Sequence, residues 1–220
     1  LLQRPELRHH LRELRRRQWD LQASAGVELL PVGDFSFYDH VLDTTAMLGV
    51  APERFAGEDL TDLDTYFAMA RGGDDARAME MTKWFDTNYH YIVPEFAPDQ
   101  AFMLRPDRLI EYLDEARDAG RAAKAVLVGP VTYLQLGKSV AEGFSRWEHR
   151  ERITELYAEL IGRIAERCEC IQLDEPILCT DLSEQARDAF APTYARLADA
   201  AGDETPLLLA SYFGELGDNL

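Results

Sequence analysis

The chain has 220 residues, 46% of them hydrophobic, which is enough for a substantial core and, by default, one domain. Its 40 acidic residues against 23 basic ones give a formal net charge of −17, which disfavours a surface that tracks nucleic-acid phosphates. No stretch approaches the ~18 uninterrupted apolar residues of a membrane-spanning helix, and Cys168, Cys170 and Cys179 lack the spacing of a disulfide framework or a zinc site, which fits a reducing cytoplasm.

Leu7, Leu11 and Leu14 recur at helical spacing among arginines and predict an amphipathic helix that Gly26 can end. A strand follows near 27–32, then a polar turn at Gly33-Asp34-Phe35-Ser36, and Asp39 is placed to cap a helix reaching Leu48. A second helix is expected over 61–70 and a strand over about 81–89. Pro106 suits a helix's first turn, Leu109, Leu113 and Ala116 its buried stripe, and Gly120 its C-terminal cap. The all-apolar 125–128 reads as a strand covered on both faces, which implies a parallel sheet. Ile153, Leu156, Tyr157, Leu160 and Ile164 mark a helix before the strand at 170–173. Ser183 caps a further helix that Pro192 is expected to kink or split, and 207–211 forms the last strand.

Strands alternating with helices predict an α/β fold. Of its two common forms, a (β/α)8 TIM-type barrel fits better than a doubly wound sheet, with parallel strands near 27–32, 82–89, 125–128, 170–173 and 207–211. Such barrels work at the C-terminal ends of their strands, which gathers Asp34, Asp86, Asn88, Thr132, Asp174, Glu175 and Ser211 around one mouth. A complete barrel needs eight strands and ~250 residues, so 1–220 is expected to be a single incomplete barrel. The opening at Leu1, without a signal-peptide pattern, reads as a piece of a longer polypeptide. Neither GxGxxG nor GxxxxGK[ST] occurs, which weakens a nucleotide-binding reading.

The densest chemistry lies in 80–96, where Lys83, Asp86, Asn88 and His90 interleave with five aromatic side chains. Rings that stack and polar atoms that orient suit a strand whose tip meets a ligand. An edge strand with solvated polar positions is the plain alternative.

Four long segments, in order, resemble the cobalamin-independent methionine synthases. They begin with Leu29-Leu30-Pro31-Val32-Gly33-Asp34-Phe35-Ser36 and continue through 80–96, Leu127-Val128-Gly129-Pro130-Val131-Thr132-Tyr133-Leu134 and Ile171-Gln172-Leu173-Asp174-Glu175-Pro176. The closing Tyr212-Phe213-Gly214 is similar too. The resemblance implies two-barrel, cytoplasmic enzymes that move a methyl group from 5-methyltetrahydropteroyltri-L-glutamate to homocysteine, with zinc holding homocysteine as a thiolate. This chain is similar to the N-terminal barrel, so the zinc ligands and the catalytic histidine are expected in the missing C-terminal barrel. No catalytic or metal-binding residue is assigned here, and the fragment alone is expected to be inactive.

Lys83 is the one site residue that the resemblance carries over. The family's Met-Thr-Lys-Trp-Phe contributes a folate-binding lysine, and a triglutamate tail meeting this acidic protein needs a local cation. Arg12-Glu13-Leu14-Arg15 resembles the family's folate-binding Arg-Glu-Leu-Lys, but it stands at the position of a similar tetrapeptide without that role and is left out. Asp174 and Glu175 are expected to support the barrel mouth rather than acid–base chemistry. The reading from a different class is a noncatalytic barrel scaffold or a stand-alone folate-binding module.

Overall fold

The computed structural model describes residues 5–74 and 76–219. Helix α1 (Pro5–Ser24) leads into β1 (Leu30–Val32), α2 (His40–Leu48) and α3 (Leu63–Arg71). Three short strands follow, β2 (Met81–Lys83), β3 (His90–Ile92) and β4 (Glu95–Phe96), then α4 (Asp107–Asp118), β5 (Ala123–Val128), α5 (Pro130–Leu136) and β6 (Lys138–Ser139). The chain continues through α6 (Arg150–Ile164), β7 (Cys170–Asp174), α7 (Glu184–Ala201) and β8 (Leu207–Ala210).

The central sheet has the order β1-β5-β7-β8, every pair parallel, with Leu30 opposite Ala123, Val128 opposite Asp174 and Asp174 opposite Ala210. Helices alternate with these strands as in a TIM-type barrel. The barrel is not closed: among the described residues β1 and β8 are its free edges.

Alternation along the strands decides which face meets the helices. Leu30, Val32, Ala125, Leu127, Ile171 and Leu173 are buried in the main core with α4 residues Leu113 and Ala116 and with Ile153, Leu156, Leu160 and Ile164 of α6. The other face carries a polar ladder among apolar neighbours such as Val126 and Val128. Lys124 Nζ donates to Gln172 Oε1 at 2.7 Å, and Gln172 Nε2 donates to Asp174 Oδ1 at 2.7 Å.

Segment 82–89 is not the expected parallel strand. β2 and β3 form an antiparallel hairpin outside the central sheet, with Lys83 opposite His90. A central parallel strand needs apolar cover on both faces, whereas Met81, Thr82 and Lys83 are all exposed. The chain reverses where Thr87 Oγ1 donates to the Trp84 carbonyl at 2.6 Å and Trp84 N donates to Tyr89 O at 2.8 Å.

Helix α1 also differs from expectation. Leu14 is 41% exposed, while Arg15 and Trp19 are buried, so α1 docks along Leu11, Arg15 and Trp19 at four-residue spacing. Glu115 of α4 causes this. It accepts from Arg15 Nε at 2.9 Å and Nη2 at 2.6 Å, and Arg15 stacks 3.8 Å from the Tyr112 ring centroid. α7 runs unsplit through Pro192, capped by Ser183 Oγ accepting from Ala186 N at 3.2 Å.

Candidate functional site

A cavity of about 440 Å³ opens at the C-terminal ends of the central strands. Its floor is Val126 to Val128 of β5, and its rim carries Asp34 after β1, Asp174 at the end of β7 and Tyr212 after β8. His40 and Asp43 of α2 and Arg108 and Tyr112 of α4 close one side. This is where barrel enzymes place their working groups, and the volume suits a small-molecule segment.

The turn that delivers Asp34 requires glycine at position 33. Gly33 has φ +105°, and an added Cβ would lie 2.6 Å from the Val126 carbonyl oxygen. Burial raises the Asp34 carboxyl above the usual range, against its own backbone hydrogen bond and the charge of Lys124. Burial likewise raises Asp174, although Gln172 and the Tyr212 hydroxyl, at 3.4 Å, donate to it. Asp43 is neutralised by Arg108 at 2.9 Å and also accepts from Ser36 Oγ.

The expected mouth residues divide by register. Asp34 and Asp174 line the cavity. Thr132 and Glu175 lie fully buried beneath it, Asp86 and Asn88 stand exposed at the hairpin tip, and Ser211 stays half-buried beside Tyr212. Glu175 is an internal cap. Its carboxyl accepts from Val131 N at 3.1 Å, Thr132 N at 2.6 Å and the Tyr194 hydroxyl at 2.8 Å, holding the start of α5 against α7. Gly129 makes room, since a Cβ there would lie 2.2 Å from Glu175 Cδ. Burial pushes Glu175 up to about 7, with the donors from Thr132 and Tyr194 opposing.

Asp39 positions the hairpin. One carboxylate oxygen accepts from Val41 N at 2.7 Å and Leu42 N at 2.9 Å, capping α2, while the other accepts from Ile92 N of β3 at 3.0 Å. Burial pushes this carboxyl up to about 7. His40 fills the space between hairpin and cavity, its ring stacked on Tyr89 at 5.4 Å and edge-on to Trp84 at 4.4 Å. Burial lowers His40 to about 4, so it is neutral at pH 7.

Lys83 lies on the exposed strand of this hairpin and outside the cavity wall. Among the described residues its side chain has no hydrogen bond or ion pair, and Glu80 at the start of the hairpin is paired with Lys138 at 2.8 Å. Arg12 and Arg15 are not available in this way. Both bind Glu115, Arg12 through Nε at 2.9 Å, so this Arg-Glu-Leu-Arg holds α1 to α4. The wall contributed by α4, above all Arg108 and Tyr112, was not anticipated, and a helical stripe carries no signal of which rim it will face.

A family profile described as the N-terminal domain of cobalamin-independent synthase matches residues 2–220. The chain belongs to this family. Among curated relatives it is 54% identical to a 5-methyltetrahydropteroyltriglutamate–homocysteine methyltransferase of Syntrophotalea carbinolica over 95% of the chain, and 50% identical to one of Nitrosomonas europaea, again over 95%. It is 46% identical to one of Salinibacter ruber over its whole length. The chain spans 27–30% of the length of these relatives.

Among the described residues no three His, Cys, Asp or Glu side chains converge to hold a metal. Cys168 and Cys170 are free thiols raised by burial. His9, His10 and His90 are exposed, and His149 packs against Phe96, Phe102 and Phe144 with its Nε2 at 2.7 Å from the Ala97 carbonyl oxygen. Among the described residues no helix is long and apolar enough to cross a membrane.

Proposed function

We propose that the chain is part of a methyltransferase that moves a methyl group from 5-methyltetrahydropteroyltri-L-glutamate to homocysteine, and that it supplies one wall of the folate site. The reading includes a second, C-terminal barrel that carries the zinc ligands, with residues 1–220 as one incomplete barrel of the N-terminal domain. Three free thiols agree with a reducing, cytoplasmic setting.

The observation that carries the reading is Lys83, an exposed cation without an internal partner on a hairpin that borders the barrel mouth. On a chain of net charge −17 it is a local exception to a field that repels carboxylates. The folate's glutamate tail is the substrate portion whose charge it answers.

The test is Lys83→Ala in the complete enzyme, titrated with folates carrying one and three glutamates. A contact that substrate covers is worth roughly 1.5–3 kcal/mol, and one left wet ~0.2–1 kcal/mol. Triglutamate affinity should therefore fall by about tenfold or more if substrate covers the contact and by up to about fivefold if it stays wet, in either case more than monoglutamate affinity, with homocysteine binding unchanged. The loss should shrink with added salt. Equal losses for both folates would mean that Lys83 does not read the tail, and no loss for either would return it to solvated surface.

A further inference from the structure

Only two non-glycine residues among those described have positive φ, Phe85 at 50° and Phe213 at 82°. For a bulky aromatic side chain this backbone region is a genuine outlier, and such strain persists only where the surroundings impose it. The two residues meet: their ring centroids are 5.5 Å apart with planes tilted by 35°. Phe85 sits at the hairpin tip, two residues beyond Lys83, and Phe213 follows β8.

Each strained phenylalanine follows another aromatic residue that faces elsewhere. Trp84 packs into the main core and against His40, while Tyr212 lines the cavity and donates to Asp174. The left-handed residue turns the next ring away, so that adjacent aromatics serve two surfaces. Phe213 follows β8, an open edge of this incomplete barrel. Its ring faces Phe85, and Phe85 in turn packs beside Val131 and Ile177. The hairpin is thus held at its base by Asp39 and at its tip by Phe213, with Lys83 between the two supports.

We infer that Phe85 and Phe213 are a positioning pair for Lys83, fixing the hairpin against the barrel mouth so that the lysine stands where the folate's anionic tail passes. The inference rests on the folate reading of Lys83 and adds residues that act through it without touching substrate.

The experiment is a double-mutant cycle in the complete enzyme, read as affinity for triglutamate folate alongside thermal midpoint and kcat. Phe213→Gly removes the ring and relieves the strained φ, so the thermal midpoint should hold or rise while triglutamate affinity falls by the same factor as in Lys83→Ala. Phe213→Asn, which also tolerates this backbone, should behave alike, and Phe213→Tyr should restore affinity. In the Lys83→Ala background Phe213→Gly should add nothing. Full affinity in Phe213→Gly, an additive loss in the double variant, or a loss that only tracks a lowered thermal midpoint would overturn the positioning role while leaving Lys83 in place. If Lys83→Ala alone has no effect, the folate reading itself fails and this inference fails with it.

Discussion

Replacing Glu175 with glutamine should change the pH dependence of stability in a defined direction. The native carboxyl is fully buried and titrates near 7, against an ordinary 4.5 in the unfolded chain. Between those values the folded state holds a proton that the unfolded state has lost, so the group's stabilisation is fully present below 4.5 and is lost as pH rises through 7. At ~1.36 kcal/mol per pKa unit, the loss across the window is about 3 kcal/mol. Glutamine cannot titrate. It keeps one carbonyl oxygen for Val131 N or Thr132 N but turns an amide N–H₂ towards the remaining donors, at a cost of ~1–3 kcal/mol. Urea unfolding of both proteins from pH 5 to pH 8 isolates this one group, because oppositely shifted carboxyls such as Glu95, lowered by Arg54 and Lys138, cancel in the difference. The native protein should be the more stable at pH 5, and its advantage should narrow or reverse by pH 8. An advantage that stays constant or grows with pH would refute the buried, proton-holding cap.

The buried pair between α1 and α4 gives a contrast between two partners of one carboxylate. Glu115→Ala strands Arg15, only 5% exposed, and should cost ~3–5 kcal/mol, whereas Arg12→Ala at the half-exposed arm should cost below ~1 kcal/mol in denaturant titrations. Equal effects would mean that the two arginines share the carboxylate evenly. Purified residues 1–220 should hold no stoichiometric zinc, and one tightly bound zinc per chain in elemental analysis would contradict the donor geometry.

Features that local chemistry decides were legible in the residues. Asp39 and Ser183 announce their helices because a capping side chain acts within three residues, and the apolar run 125–128 in β5 announces a parallel sheet. What escaped depends on distant partners. Arg15 turns inward because of Glu115, 100 positions away, which no periodicity in α1 encodes. The reversal at 84–89 carries no Asn-Gly or Asp-Gly signal, since a threonine hydroxyl and a left-handed phenylalanine make the turn. Asp174 and Glu175 were visible as a pair, but register alone decides that the first faces the cavity and the second caps α5 beneath it.

The hairpin's place outside the central sheet bears on how such a protein can change over generations. Lys83 rides on an excursion between β1 and β5 that contributes no strand to their parallel pairing. Insertions, deletions or new charges in its exposed strand leave the register of Leu30 against Ala123 untouched, whereas a one-residue slip in a barrel strand would turn every side chain to the opposite face. If Lys83 meets the folate tail as proposed, the charge offered to that tail can be revised by substitution on this exposed strand while the pairing of the barrel strands is left as it stands.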